Sequence, residues 1–225
     1  MTTMMQNVPT GAIGSAVATI QEKINGMIDD LIESLPPVET LTAEEQRRMI
    51  ARYSAVLEGN FIYWMTATLL AVKSEAAKPI LIDNLMEEVR DAHPHMLRRF
   101  FIAAQSFPTP EDSLAVHEDL TKMRLFLGRL SAVQSLAAMA FFEGFIQRFM
   151  GYLASLAAAQ GSTEMEYTDV HGVCDIAHTA GLFQALGEEM SLNPLLAGQD
   201  VFEGVYLLRN LMDRVVFNRE VQRAA

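Results

Sequence analysis

Residues 131–159, SAVQSLAAMAFFEGFIQRFMGYLASLAAA, are apolar along almost their whole length. Alanine, leucine and methionine favour an α-helix, and a helix that is apolar nearly all round belongs in the interior of a protein. The uncharged run from Leu130 to Phe142 is shorter than the ~20 residues that a membrane span requires. The segment therefore predicts a long helix buried in protein.

Further helices are predicted on both sides of this segment. The expected ranges are about 15–34, 42–74, 79–91, 95–107, 111–127, 163–186 and 200–221. Prolines or glycines separate most of them, and neither a long strand-like alternation nor an internal repeat is present. The prediction is an all-α bundle of seven to eight helices, with one domain over 1–225 and a flexible tail over 1–12.

The composition argues against several classes of partner. The net charge is −11, whereas nucleic acids and anionic membrane surfaces require clustered Lys and Arg. The chain has one cysteine, Cys174, which excludes an internal disulfide framework and fits a reducing cytoplasm. No basic segment followed by an apolar one marks a signal peptide. We therefore expect a cytoplasmic protein.

Three polar residues within 163–186 have the spacing H-x3-D-x2-H. His171, Asp175 and His178 lie at about 0°, 40° and −20° around a helix axis, so they share one face among apolar neighbours. Burial of two imidazoles and a carboxylate is costly without a partner, and a divalent metal is the usual compensation. The alternative is an exposed stripe with incidental histidines. The chain has only five histidines, so two in one register favour the metal.

Glu143 is a lone carboxylate among the apolar residues of 138–146. Burial of an unpaired carboxylate would cost several kcal/mol. Glu143 therefore either faces a metal, or faces solvent, or pairs with Arg148 or Arg129. The apolar residues on every side of it favour the buried position.

Glu88 and His95 form a weaker pair with the spacing E-x6-H. Seven residues make two turns, so on a continuous helix the two side chains would differ by only about 20°. Pro94 disturbs that geometry, and Glu87 and Glu88 could equally belong to a solvated face. His93 is offset from the stripe of His95 and is expected at the surface.

Together these positions supply three carboxylates and three imidazoles from three helices. Such a set suits two non-haem irons inside a bundle. The E-x-x-H pair of ferritin-like sites is absent, because no Glu stands three residues before any His. The predicted metal ligands are Glu88, His95, Glu143, His171, Asp175 and His178.

The whole pattern resembles that of the haem-oxygenase-like di-iron oxidases. The likeness rests on the E-x6-H segment over 84–95, on Phe142-Glu143-Gly144 and on H-x3-D-x2-H over 171–178. It implies a haem-oxygenase-like bundle, usually dimeric, that uses two Fe2+ ions, O2 as co-substrate and an external reductant. It also implies a grouping in which one iron has Glu88, Asp175 and His178, the other has His95 and His171, and Glu143 bridges.

Members of this family carry out different oxidations, and a shared fold does not choose among them. Because no basic cluster marks a phosphate or coenzyme A site, we expect a small-molecule substrate. The favoured reaction is N-oxygenation of a small amine to a hydroxylamine, nitroso or nitro product in a biosynthetic pathway. The alternative is oxidative C–C cleavage, decarboxylation or desaturation of an amino or fatty acid. The expected partners are this substrate, an electron donor and a second copy of the chain.

Two interpretations of another class stay open. The same fold includes metal-free, thiaminase-like hydrolases with a cysteine nucleophile, but Cys174 is expected to point about 100° away from the ligand face. A non-enzymatic helical interaction protein would leave the buried ligand set unexplained. Stoichiometric iron would separate the oxygenase from both.

Overall fold

The computed structural model describes residues 10–195 and 198–218. Within these residues the chain forms a short 3-10 turn at Val38–Thr40, no strand, and nine α-helices. The helices are α1 (Thr10–Glu33), α2 (Ala43–Leu57), α3 (Asn60–Ala71), α4 (Lys78–Arg90), α5 (His93–Ala103), α6 (Pro110–Leu127), α7 (Ala132–Ala159), α8 (Glu166–Leu192) and α9 (Glu203–Phe217). The predicted all-α class is confirmed.

Two of the expected boundaries reach beyond the described residues. Residues 1–9 of the expected tail and residues 219–221 of the expected last helix lie outside them. Residues 10–12, which the sequence places in the tail, already belong to α1. The regular structure therefore begins earlier than the sequence predicts.

The helix α7 is the centre of the bundle, as its apolar sequence predicts. Every residue from Ala132 to Ile146 is buried, and α7 packs along α8 while also contacting α1, α2, α3 and α9. The ring of Phe142 stacks on Phe61 and meets Trp64 edge to face, with centroid distances of 5.8 and 5.2 Å. Burial of each such ring stabilises the fold by roughly 1.5–3 kcal/mol, which fixes α3 against α7.

Local signals set both ends of α2. Thr42 accepts the N–H of Glu45 at 3.2 Å and donates its own N–H to the Glu45 carboxylate at 2.8 Å, which is the capping box that the sequence predicts. At the other end Gly59 has a φ of 77°, a conformation that costs glycine little. The single helix expected over 42–74 is therefore divided into α2 and α3.

The chain also breaks between α4 and α5. Ala92 adopts a left-handed conformation, with φ 58° and ψ 39°, which is uncommon for any residue with a Cβ. The helix α5 begins at His93, so Pro94 lies in the first turn, where its missing N–H removes no helical hydrogen bond. The interruption that the sequence predicts near Pro94 is confirmed. Because of it, positions on α5 do not continue the helical faces of α4.

Two contacts hold α4 against α8. A Cβ at Gly181 would lie 2.9 Å from Cγ2 of Ile80, so glycine permits the close approach of the two helices. The fully buried carboxylate of Glu189 accepts the backbone N–H groups of Lys73 and Ser74 at 2.9 and 2.8 Å. These contacts fix the chain that leads into α4 and place its inner face beside α8.

Candidate metal centre

The inner face of α8 carries His171, Asp175 and His178, which are only 5, 1 and 9% exposed. The exposed-stripe alternative is therefore wrong. Nδ1 of His171 lies 2.7 Å from the carbonyl oxygen of Tyr167, so Nδ1 donates and Nε2 turns towards Glu88, whose Oε1 is 3.7 Å away. Burial opposes protonation of His171, but the contact with Glu88 and the charge of Asp175 outweigh it and raise its pKa.

Glu143 projects from α7 towards this face of α8 and is 2% exposed. Its Oε1 accepts a hydrogen bond from Nδ2 of Asn84 at 2.8 Å, and its Oε2 lies 3.6 Å from Nδ1 of His178. Burial, together with the negative charge of Asp175, raises the pKa of Glu143 to about 7. The carboxylate therefore lies where an additional positive charge would stabilise it.

Neither arginine that the sequence offered as a partner forms an ion pair with Glu143. Arg148 bonds to Asp29 on α1, and Arg129 bonds to Glu203 at 2.6 Å. The pairing alternative is therefore wrong, and the neighbours of Glu143 are the side chains of the buried cluster.

Glu88 joins the cluster from α4 and is 5% exposed. Its Oε1 lies 2.7 Å from Nδ1 of His93 and 3.7 Å from Nε2 of His171. Burial works to raise the pKa of Glu88, but hydrogen bonds from His171 and His93 outweigh it and lower the pKa to about 2. Glu88 is therefore a carboxylate held between two imidazoles.

The histidine beside Glu88 is His93, which is buried, so the expectation that His93 lies at the surface is wrong. His95 is exposed in this structure, and its assignment as a ligand stays a prediction. The prediction that Glu88 and His95 share one face requires a continuous helix between them. The left-handed Ala92 ends α4 and a new helix begins at His93, so the side chains of α5 no longer follow the rotation of α4. The buried residues of α5 recur with helical spacing, and they are His93, Leu97, Phe100 and Phe101. The helical spacing of Leu97, Phe100 and Phe101 in the sequence extends back to His93 and is the signal that points to it.

Glu87 is a further member of the cluster, although the sequence allowed it a place on a solvated face. Its Oε2 lies 2.9 Å from Nε2 of His178, and its side chain remains 40% exposed. Nδ1 of His178 faces inward, 3.3 Å from Oδ1 of Asp175. Burial lowers the pKa of His178, but its contacts with Asp175, Glu143 and Glu87 outweigh this and raise it to about 11. Without a metal, a proton on this ring balances the carboxylates around it.

In the part of the chain that the structure describes, two groups of side chains have ligand atoms close enough to share an ion. Within each group these atoms all lie within 4.8 Å of one another; the groups are Glu88, His93 and His171, and Cys174, Asp175 and His178. Among the described residues, the buried atoms Oδ2 of Asp175 and Nδ1 of His178 make no hydrogen bond. Such atoms are costly to bury, and carboxylate and imidazole donors suit iron. The residues present therefore fit a metal centre.

Cys174 is a poor nucleophile in this setting. It is half-buried, and its Sγ donates to Oδ1 of Asp175 at 3.3 Å. Burial, followed by the charge of Asp175, raises the pKa of the thiol far above its ordinary value. Because the thiolate is the reactive form of cysteine, the structure disfavours the hydrolase interpretation.

Aromatic and aliphatic side chains enclose the group that contains Glu88. The hydroxyls of Tyr53 and Tyr167 bond to each other at 2.8 Å in the core, and the ring of Tyr167 lies 4.2 Å from that of His171. A cavity of about 20 Å³ reaches this group, lined by Leu57, Gly59, Phe61, Ile62, Glu88, His93, Pro94, Leu97 and Tyr167. Its volume is that of one or two water-sized molecules.

Comparison with known proteins identifies the protein family. A family model described as iron-containing redox enzyme matches residues 48–212, a range that includes all of the cluster. The chain therefore belongs to this haem-oxygenase-like family of iron-containing redox enzymes. No curated protein matches the chain significantly. In the described part of the chain, no helix is long and apolar enough to cross a membrane.

Proposed function

We propose that this chain is a non-haem di-iron oxygenase that uses O2 and an external reductant to oxidise a small amine on nitrogen. The observation that carries the proposal is the buried cluster of carboxylates and imidazoles, in which Oδ2 of Asp175 and Nδ1 of His178 have no hydrogen bond. Bound cations would compensate these donors. Membership of an iron-containing redox family makes iron the natural occupant.

The two groups of ligand atoms suggest how two irons would be held. Glu88, His93 and Nε2 of His171 would hold one, and Asp175 and Nδ1 of His178 would hold the other. Glu143, whose Oε2 lies 3.6 Å from Nδ1 of His178, would add a carboxylate from α7. This division differs from the one that the resemblance implies, because Glu88 lies beside His171.

The iron, when bound, would supply the redox chemistry that activates O2, and the protein's own residues would orient the donors and exclude water. Asn84 holds Oε1 of Glu143, and the carbonyl of Tyr167 holds the ring of His171. The residues of α7 around Glu143 are all buried, which strengthens every electrostatic interaction at the cluster.

The charge of the chain favours an amine over an acid as the substrate. The net charge of −11 attracts a protonated amine and repels a carboxylate during diffusional approach. The partly exposed carboxylate of Glu87 adds to this at the edge of the cluster. C–C cleavage, decarboxylation or desaturation of an amino or fatty acid is the second candidate. A fatty acid lacks this electrostatic support, and in an amino acid the carboxylate offsets the attraction of the ammonium group.

The test has two stages. Protein loaded anaerobically with Fe(II) should bind two irons per chain, whereas a hydrolase or an interaction protein should carry none. The reduced protein is then mixed with candidate amines and O2, and the products are analysed by mass spectrometry. Addition of oxygen to nitrogen supports the proposal, whereas loss of CO2 or release of an aldehyde indicates the second candidate. Wild-type protein that binds no iron would overturn both.

A further inference from the structure

We propose that Glu87 is a positioning residue of the metal centre, whose carboxylate fixes His178 in the tautomer that binds metal through Nδ1. This inference rests on the proposed function. It starts from the different surroundings of the two ring nitrogens. Nε2 points outward to Oε2 of Glu87 at 2.9 Å, and Nδ1 points inward to Oδ1 of Asp175 at 3.3 Å and Oε2 of Glu143 at 3.6 Å.

A neutral imidazole carries one proton, and its second nitrogen carries a lone pair. Carboxylates, which can only accept, lie near both nitrogens, and the shortest contact is that of Nε2 with Glu87. In the neutral ring this contact places the proton on Nε2 and leaves the lone pair on Nδ1. That lone pair would then face two carboxylate oxygens. The arrangement is repulsive unless a positive charge lies between them, which is a proton in the metal-free protein and a metal ion when one is bound. The contact with Glu87 therefore directs His178 towards a cation held together with Asp175 and Glu143.

The tautomer of His171 is fixed by a different kind of acceptor. Its Nδ1 donates to the backbone carbonyl of Tyr167, one turn earlier on its own helix, so this tautomer is built into α8 and no substitution of a side chain removes the acceptor. His178 relies on a carboxylate from a second helix, α4, which the close contact between Gly181 and Ile80 holds in place. Of these two histidines, His178 is therefore the one whose hydrogen-bond acceptor can be removed by a substitution outside the proposed metal ligands.

Hydrogen-bond partners of metal-bound histidines typically change metal affinity by about 10–100-fold. We therefore expect Glu87→Leu to weaken one of the two metal sites by that factor. Glu87→Gln should largely rescue it, because the amide oxygen still accepts from Nε2. Asp83→Leu is the matched control, since Asp83 is an exposed carboxylate on the same helix and should leave both sites unchanged.

The experiment uses the full chain and Co(II) as the probe, because Co(II) reports its ligands spectroscopically. Calorimetric titration gives the two affinities, and proton NMR of the Co(II) protein detects the shifted, exchangeable N–H of each coordinated histidine. In the wild type and in Glu87→Gln the His178 N–H should exchange slowly with water. In Glu87→Leu this signal should be lost to fast exchange, while the N–H of His171 persists.

Two outcomes would overturn the inference. Equal affinities and an unchanged N–H signal in Glu87→Leu would show that Glu87 does not orient His178. An equal loss of affinity in Glu87→Gln and Glu87→Leu would show that Glu87 acts as a ligand or by its charge alone. Absence of the proposed di-iron centre is distinguishable, because the wild type would then lack the second metal site altogether.

Discussion

Replacement of Glu143 by glutamine should stabilise the metal-free protein at alkaline pH. Burial and the charge of Asp175 raise the pKa of Glu143 from the ordinary value of 4.5 to about 7. Since the folded-state pKa is the higher one, the folded protein holds this proton more tightly than the unfolded chain does. The contribution is fully present below about pH 4.5 and is lost as the pH rises through about 7.

The expected gain in the free energy of unfolding follows from the pKa of Glu143 in the unfolded chain and in the folded protein. The interval between 4.5 and about 7 corresponds to a free energy of unfolding on the order of 3 kcal/mol. Glutamine keeps the shape of the side chain, does not ionise, and can still accept the hydrogen bond of Asn84. In the variant His178 also retains Glu87 and Asp175 as neighbours. For a chain of this size the stabilisation at pH 8 corresponds to a rise in Tm of about 6–12 °C.

The assay is thermal and urea unfolding of metal-free Glu143→Gln and wild type at pH 4.5 and pH 8. The two proteins should be equally stable at the lower pH, and the variant should be more stable at the higher one. Glu33→Gln, at an exposed position, should show no pH-dependent difference. Added Fe(II) should stabilise the wild type by mass action and the variant much less. A variant that is destabilised equally at both pH values would refute the burial argument.

Three further outcomes follow from the site. His93→Ala should lose much of the iron at one of the two sites, whereas His95→Ala should keep the wild-type content, as measured by elemental analysis; the reverse pattern would restore the sequence assignment. Cys174 should react slowly with iodoacetamide at pH 8 in the folded protein, and Cys174→Ser should retain its iron; rapid alkylation would contradict the raised pKa. Gly181→Val should force α4 away from α8 at Ile80 and destabilise the fold by about 1–3 kcal/mol, whereas an unchanged urea midpoint would show that the two helices adjust freely.

The sequence predicts well those features that depend on a single uninterrupted helix. The face shared by His171, Asp175 and His178 follows from 3.6-residue periodicity, and these side chains are buried together. The burial of Glu143 follows from the apolar residues around it. Both inferences need only local geometry, which the order of residues determines.

The remaining features depend on backbone conformation and tertiary packing. Which of His93 and His95 faces the cluster depends on the left-handed conformation of Ala92. Alanine has no sequence signal for a positive φ. Glu87 and Glu88 are adjacent, and both are in contact with the cluster although one of them is partly exposed. The role of Glu87 depends on how closely α4 approaches α8, which becomes visible only once the helices are packed.

The buried carboxylate of Glu189 bears on how variation in this chain should be interpreted. Glu189 is eleven residues beyond His178 on the same helix, a separation of about 16 Å along the axis, yet it holds the backbone of Lys73 and Ser74 at the entrance to α4. A substitution at 189 would let the start of α4 shift relative to α8 and misplace Glu87 and Glu88 together. In a mutational screen such a change would score as an active-site defect, although the altered residue lies about three helical turns from the nearest ligand.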